Sequence, residues 1–155
     1  MNRQRKFWIM DYETIVNCFI AVFRSYDSDE QHIFVIGKHR NDIHLYIKFL
    51  LENQQNKDWH FGYNNLAFDA QITEHILENL EFYSARDGEE IAGRIYAYVK
   101  TIIDKSNKGE FLDYPEFFLK RGIVQIDALD LSYSIAQTDL SEHIYCHLPL
   151  HVPSF

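Results

Sequence analysis

Cysteine is scarce in this 155-residue chain: Cys18 and Cys146 lie far apart and form no CxxC pair. Neither a disulfide framework nor a zinc ribbon is expected, and a reducing compartment is the simpler setting. Long apolar runs are missing too. The first one, Phe7 to Met10, meets Asp11 after only four residues, too few for a signal peptide or a membrane span. A soluble, intracellular chain is therefore expected. Basic charge is also in short supply. A formal net charge of −8 argues against holding nucleic acid on a broad basic surface. Basic residues cluster only at Arg3, Arg5 and Lys6, at Lys38 and Arg40, and at Lys120 and Arg121, which would form at most a local rim. Internal repeats and linkers are absent, so residues 1–155 are read as one domain, either whole or truncated. The tail over 131–155 is its least legible part.

What is present is apolar and aromatic material, 46% hydrophobic residues, enough for a single packed core. Phe7 to Met10 and Ile15 to Phe23 read as two strands joined by a hairpin or bulged bend near Thr14 to Asn17. Tyr26 to Glu30 reads as a turn and Gln31 to Gly37 as a third strand, so an antiparallel meander opens the chain. Asn41 and Asp42 are helix caps for a stretch ending near Asn53, with Ile43, Ile47, Leu50 and Leu51 at helical spacing. Trp59 to Tyr63 is a short strand before a helix with Ile72, Ile76, Leu77 and Leu80. Ile91, Ile95, Val99, Ile102 and Ile103 mark a longer helix closing at Lys105 to Gly109. Ile123 to Ile126 is the last clear strand. This order predicts an α/β fold with a mixed sheet.

Asp11 and Glu13 end a strand that reads as buried on both faces, and residues two apart project to one side. Two such carboxylates repel, so they should share a proton or a cation. Oxygen-only ligands without nearby Cys or His favour magnesium or manganese over zinc. In Tyr63-Asn64-Asn65-Leu66-Ala67-Phe68-Asp69, Asn65 is the expected N-cap and Asp69 projects from the same face of the first helical turn, where the helix dipole favours an anion. If the two strands are neighbours, Asp69 approaches Asp11.

Asp11-Tyr12-Glu13-Thr14 resembles the first exonuclease motif, Asp-x-Glu-Thr, of family B and protein-primed viral DNA polymerases. Asn65-Leu66-Ala67-Phe68-Asp69 resembles their second motif, and Ile126-Asp127 resembles a later strand of the same domain. The resemblance implies a ribonuclease H-like, DEDD-type 3′ to 5′ exonuclease domain, of the kind that proofreads in a polymerase. Its sheet would combine a three-strand antiparallel meander with parallel strands. It implies two magnesium or manganese ions, about 4 Å apart in such sites, held by Asp11, Glu13 and Asp69. Thr14, Tyr63, Asn65 and Phe68 would contact the substrate, a single-stranded 3′ end with DNA favoured. Phe68 reads equally well as core. A polymerase or another protein is an implied partner, a membrane is not, and the setting would be the cytoplasm of a bacterium or a phage-infected cell.

The third motif of that family, a late acid with a Tyr or His at fixed spacing, is not found. Tyr133 would need an acid at Gln137 and Tyr145 one at Pro149; Tyr83 with Asp87 fits the spacing but lies too early. Asp139 is the best substitute for the fourth acid, against a competing reading as a helix cap, with Asp127 and Asp130 as further candidates. His143, His147 and His151 recur every four residues, but Pro149 interrupts any helix between the last two, so they read as surface or packing residues. No polymerase motif follows, which leaves open a fragment, a free-standing domain or a decayed one. Two rivals stand beside the enzyme: a silent module of the same fold that binds single-stranded nucleic acid or a protein, and a structural protein whose acids only cap and solvate.

Overall fold

The structure is a computed structural model that describes residues 4–110 and 123–129. The chain opens on three strands whose burial largely alternates. β1 (Phe7–Ile15), β2 (Cys18–Ser25) and β3 (Gln31–Gly37) form the expected meander. Val16 and Asn17 make the first turn, with Ile15 paired to Cys18. β4 (Trp59–Gly62) and β5 (Val124–Asp127) then add in parallel on the other side of β1, giving a mixed five-stranded sheet in the order β3-β2-β1-β4-β5. The start of β4 is tied to β1 through Lys6, whose N–H donates to Asp58 Oδ1 at 2.9 Å and whose carbonyl accepts from Trp59 N at 2.9 Å.

Four helices supply the other half of the core: α1 (Ile43–Asn56), α2 (Asp69–Glu78), α3 (Leu80–Ser84) and α4 (Gly88–Asn107). One sheet face, carrying Trp8, Met10, Tyr12, Phe19, Phe23, Phe34 and Ile36, shares a single buried cluster with residues of all four helices. It is an aromatic interior, with Phe23 and Phe49 rings 4.7 Å apart and Trp8 edge-on to Phe49 at 5.2 Å, the tilted and edge-to-face arrangements that ring quadrupoles favour. α4 approaches the sheet so closely that a Cβ on Gly88 would fall 2.3 Å from the Gly37 carbonyl oxygen. Only a residue without a side chain lets that helix start there. Among the described residues, no helix is long and apolar enough to cross a membrane, and Cys18 is a free thiol.

Several local expectations change. The strand holding the acids does not stop at them and is not buried on both faces: β1 runs on to Ile15 and its burial alternates. The expected second helix breaks at Asn79, so Leu80 opens α3. Asp42 does precede α1 but makes no capping bond; its carboxylate instead accepts from Val35 N at 2.9 Å and pairs with Arg40. Leu51 and Ile103, read as apolar-face positions, are exposed. Asp139, Asp130, the three spaced histidines, Arg3, Lys120, Arg121, Cys146 and the whole 131–155 tail lie outside the described residues.

Candidate functional site

The placement of Asp11 and Glu13 follows from a mismatch between the two ladders that flank β1. On the β2 side the acids sit inside the pairing, Asp11 opposite Val22 and Glu13 opposite Ile20. On the β4 side the parallel register ends at Ile9 with Phe61. The acids therefore lie just past the end of that ladder, on a stretch of β1 that overhangs its parallel neighbour. β1 is the strand at which the sheet changes from antiparallel to parallel pairing. Both acids are exposed, on the face opposite Tyr12.

The second motif follows β4 and leads into α2. Gly62 ends the strand against β1, where an added Cβ would meet the Met10 carbonyl at 3.3 Å and the Asn65 Cβ at 2.8 Å. Asn64 then adopts a positive φ of 55°, an uncommon conformation that Asn tolerates better than most residues. α2 begins only at Asp69, after Phe68 and without a side-chain cap, so Asn65 is not the N-cap that its position suggested. Its carbonyl closes the turn instead, accepting from Phe68 N at 3.2 Å and Ala70 N at 2.7 Å. Its side chain is 0% exposed and donates to Gln125 Oε1 at 3.1 Å.

Asp127, at the end of β5, anchors the same loop. Its carboxylate accepts from Asn64 N at 2.8 Å, Leu66 N at 3.0 Å and Leu129 N at 2.9 Å. Three backbone donors occupy much of its acceptor capacity, which makes it a clamp on the β4–α2 loop more than a free ligand.

Asp69 is the acid that the fold treats most harshly. The residue is 6% exposed, and burial together with the charges of Asp11, Asp127 and Glu13, in that order, pushes its carboxyl up to about 8. Burial is the larger cause, and the three carboxylates add to it, so the four acids lie within electrostatic reach of one another. A hard divalent cation would relieve that surplus, and an oxygen-only donor set suits magnesium or manganese. Asp11, Glu13 and Asp69 are the side chains that could hold it. Among the described residues, no three His, Cys, Asp or Glu side chains are already gathered into a cage for one ion.

The expected substrate residues divide. Tyr63, directly after β4, is 72% exposed. Phe68 is half-buried and packs on the core, matching its alternative reading. Thr14 is half-buried, opposite Phe19 on β1, and Asn65 is interior. Two of the described rim residues are paired within the fold. Lys6 pairs with Glu30 and lies over the Trp8 ring, while Arg40 pairs with Asp42 at 2.6 Å. Tyr83 is buried, and Asp87 caps α4 by accepting from Glu90 N at 2.9 Å, so that early Tyr and acid pair serves the scaffold.

Sequence reasoning missed a chain of buried hydroxyls on the side of β1 opposite Asp11 and Glu13. Tyr46 Oη donates to Tyr12 Oη at 2.6 Å, Tyr12 Oη lies 2.6 Å from Thr73 Oγ1, and Thr73 Oγ1 donates to the Asp69 carbonyl at 3.2 Å. The available signal was a Tyr between the two acids and a Thr inside the Ile72, Ile76 and Leu77 face, both at positions that an apolar residue would fill. No family model, curated protein or solved structure gives a match to this chain.

Proposed function

We propose that the chain is a metal-dependent 3′ to 5′ exonuclease-like domain that hydrolyses phosphodiester bonds at nucleic-acid 3′ ends, DNA more than RNA, like the polymerase proofreading domains it resembles. The observation that supports this reading is the overhang of β1 beyond β4 at Asp11 and Glu13, together with the electrostatic coupling of both acids to Asp69 at the start of α2. Divalent ions bound there would activate a water and offset charge on the leaving oxygen. The chain's own part is to present three carboxylates from two backbones, to fix the loop through Asp127, and to offer Tyr63 as a stacking surface for the terminal base.

A second reading, a catalytically silent module of the same fold that binds single-stranded nucleic acid or a protein, is favoured by one observation. Asn65, which the second motif would aim at the substrate, is turned inward to Gln125.

Digestion of a 3′-labelled single DNA strand with manganese separates the readings. Stepwise shortening by the parent, reduced about a thousandfold in Asp11→Ala, is the expected result, since loss of a metal ligand removes several kcal/mol of transition-state stabilisation. Equal degradation by both proteins would place the chemistry elsewhere. Inertness of both, with saturable manganese binding retained, would favour the silent module.

A further inference from the structure

We propose that Tyr46, Tyr12 and Thr73 form a directional hydroxyl chain that sets the position of Asp69 against the two acids of β1, making them positioning residues of the candidate centre. The inference rests on the exonuclease reading and concerns how that site is held together.

Proton counting gives the direction. Each hydroxyl has one hydrogen to donate. Thr73 gives its hydrogen to the Asp69 carbonyl, so the 2.6 Å contact with Tyr12 must be donated by Tyr12, and Tyr12 in turn accepts from Tyr46. The chain thus runs from α1 through β1 to the first turn of α2 without an unsatisfied hydrogen. All three residues are buried, the two Tyr rings against Phe19, Phe23 and Phe34, where Tyr12→Phe, Tyr46→Phe and Thr73→Val would fill similar space with no polar group to desolvate.

The ends of the chain suggest what the polar version adds. Tyr12 stands between Asp11 and Glu13 on one backbone, while Thr73 bonds back to Asp69 itself on the other. Helices packed by apolar contact alone can roll and slide by fractions of an ångström. A fully satisfied hydrogen-bond chain fixes one arrangement; here it holds the backbone that carries Asp69, so its loss should act at the low end of the 10- to 100-fold changes in metal affinity seen when direct partners of ligand side chains are lost.

The test uses the full chain and manganese as the probe. Saturable binding to the parent is expected, weakened about tenfold in Thr73→Val and in Tyr12→Phe and restored to within about twofold in Thr73→Ser. On a labelled strand, kcat should fall in Thr73→Val while KM stays near the parent value, a split that general loosening of the fold would not produce. In the metal-free protein, amide exchange over Asp69 to Thr73 should quicken while the β2–β3 ladder keeps its protection. Should a single variant fold poorly, the double variant Tyr12→Phe with Thr73→Val removes both partners of the central bond and is read in the same way. Parent-like manganese affinity in a folded Thr73→Val or in the double variant overturns the inference and leaves the exonuclease reading standing. Absence of saturable binding in the parent overturns both.

Discussion

Trp8, Met10 and Tyr12 point into the aromatic core, while Ile9, Asp11 and Glu13, interleaved with them on β1, face away from it. Neighbours in sequence thus live in opposite environments, one tightly packed and the other wet and negatively charged. The contrast teaches that a single strand can support the fold with its even-numbered residues and the candidate chemistry with its odd-numbered ones. Damage to either set should then be separable from damage to the other.

The largest expected effect on stability falls on the inward set. Trp8→Ala should cost about 3–5 kcal/mol, as large aromatic truncations in cores do, whereas Asp11→Ala should leave unfolding by urea unchanged or slightly improved because it removes a negative neighbour of Asp69. A comparable loss from both substitutions would break the division between the faces.

A smaller effect comes from Asp69, and its sign can be worked out. Its folded carboxyl is raised to about 8, so its proton is held more tightly in the folded chain than in the unfolded one. Its contribution is full below about pH 4 and is lost as pH rises through about 8. Metal-free parent protein should lose stability across that window, by up to on the order of 1 kcal/mol per pH unit. Asp69→Asn should flatten this slope, and thermal unfolding at a series of pH values reads it. An unchanged slope would remove Asp69 from the coupled acid group.

His60 gives the opposite slope from inside the core. It is 0% exposed, neither ring nitrogen has a hydrogen-bond partner, and burial pulls it down to about 3. The folded state therefore resists protonating it, so stability should fall as pH drops from about 6.5 towards 3. His60→Phe should remove this acid sensitivity and raise stability at neutral pH by about 1 kcal/mol, since two unpartnered polar atoms leave the core. A parent-like acid profile in that variant would point to another group as the cause.

Much of this architecture was legible because the meander and α4 rest on local patterns. Ile33 to Ile36 is a β-branched and aromatic run between a polar turn and Gly37, and Ile91, Ile95, Val99 and Ile102 recur at helical spacing, so local pattern alone places them. The three acids stood out as candidates through motif order, and the structure shows Asp69 electrostatically coupled to the other two. The burial of β1 was misjudged because Phe7 to Met10 is a short apolar run, which cannot by itself distinguish one covered face from two. Asn65 failed as a cap because the β4–α2 loop obeys Asp127, sixty-odd residues away, and such a tether leaves no local trace. The hydroxyl chain joins positions 12, 46 and 73, whose meeting depends on tertiary packing.

Gly62 carries a consequence out of proportion to its size. Any side chain at this position would wedge between the Met10 carbonyl and Asn65, prising apart the two backbone segments that bear the acids while leaving every carboxylate chemically intact. Tolerance to change should therefore be lower at this silent atom-poor spot than at many residues with reactive groups. A loss of function without loss of any functional group is the failure this geometry invites.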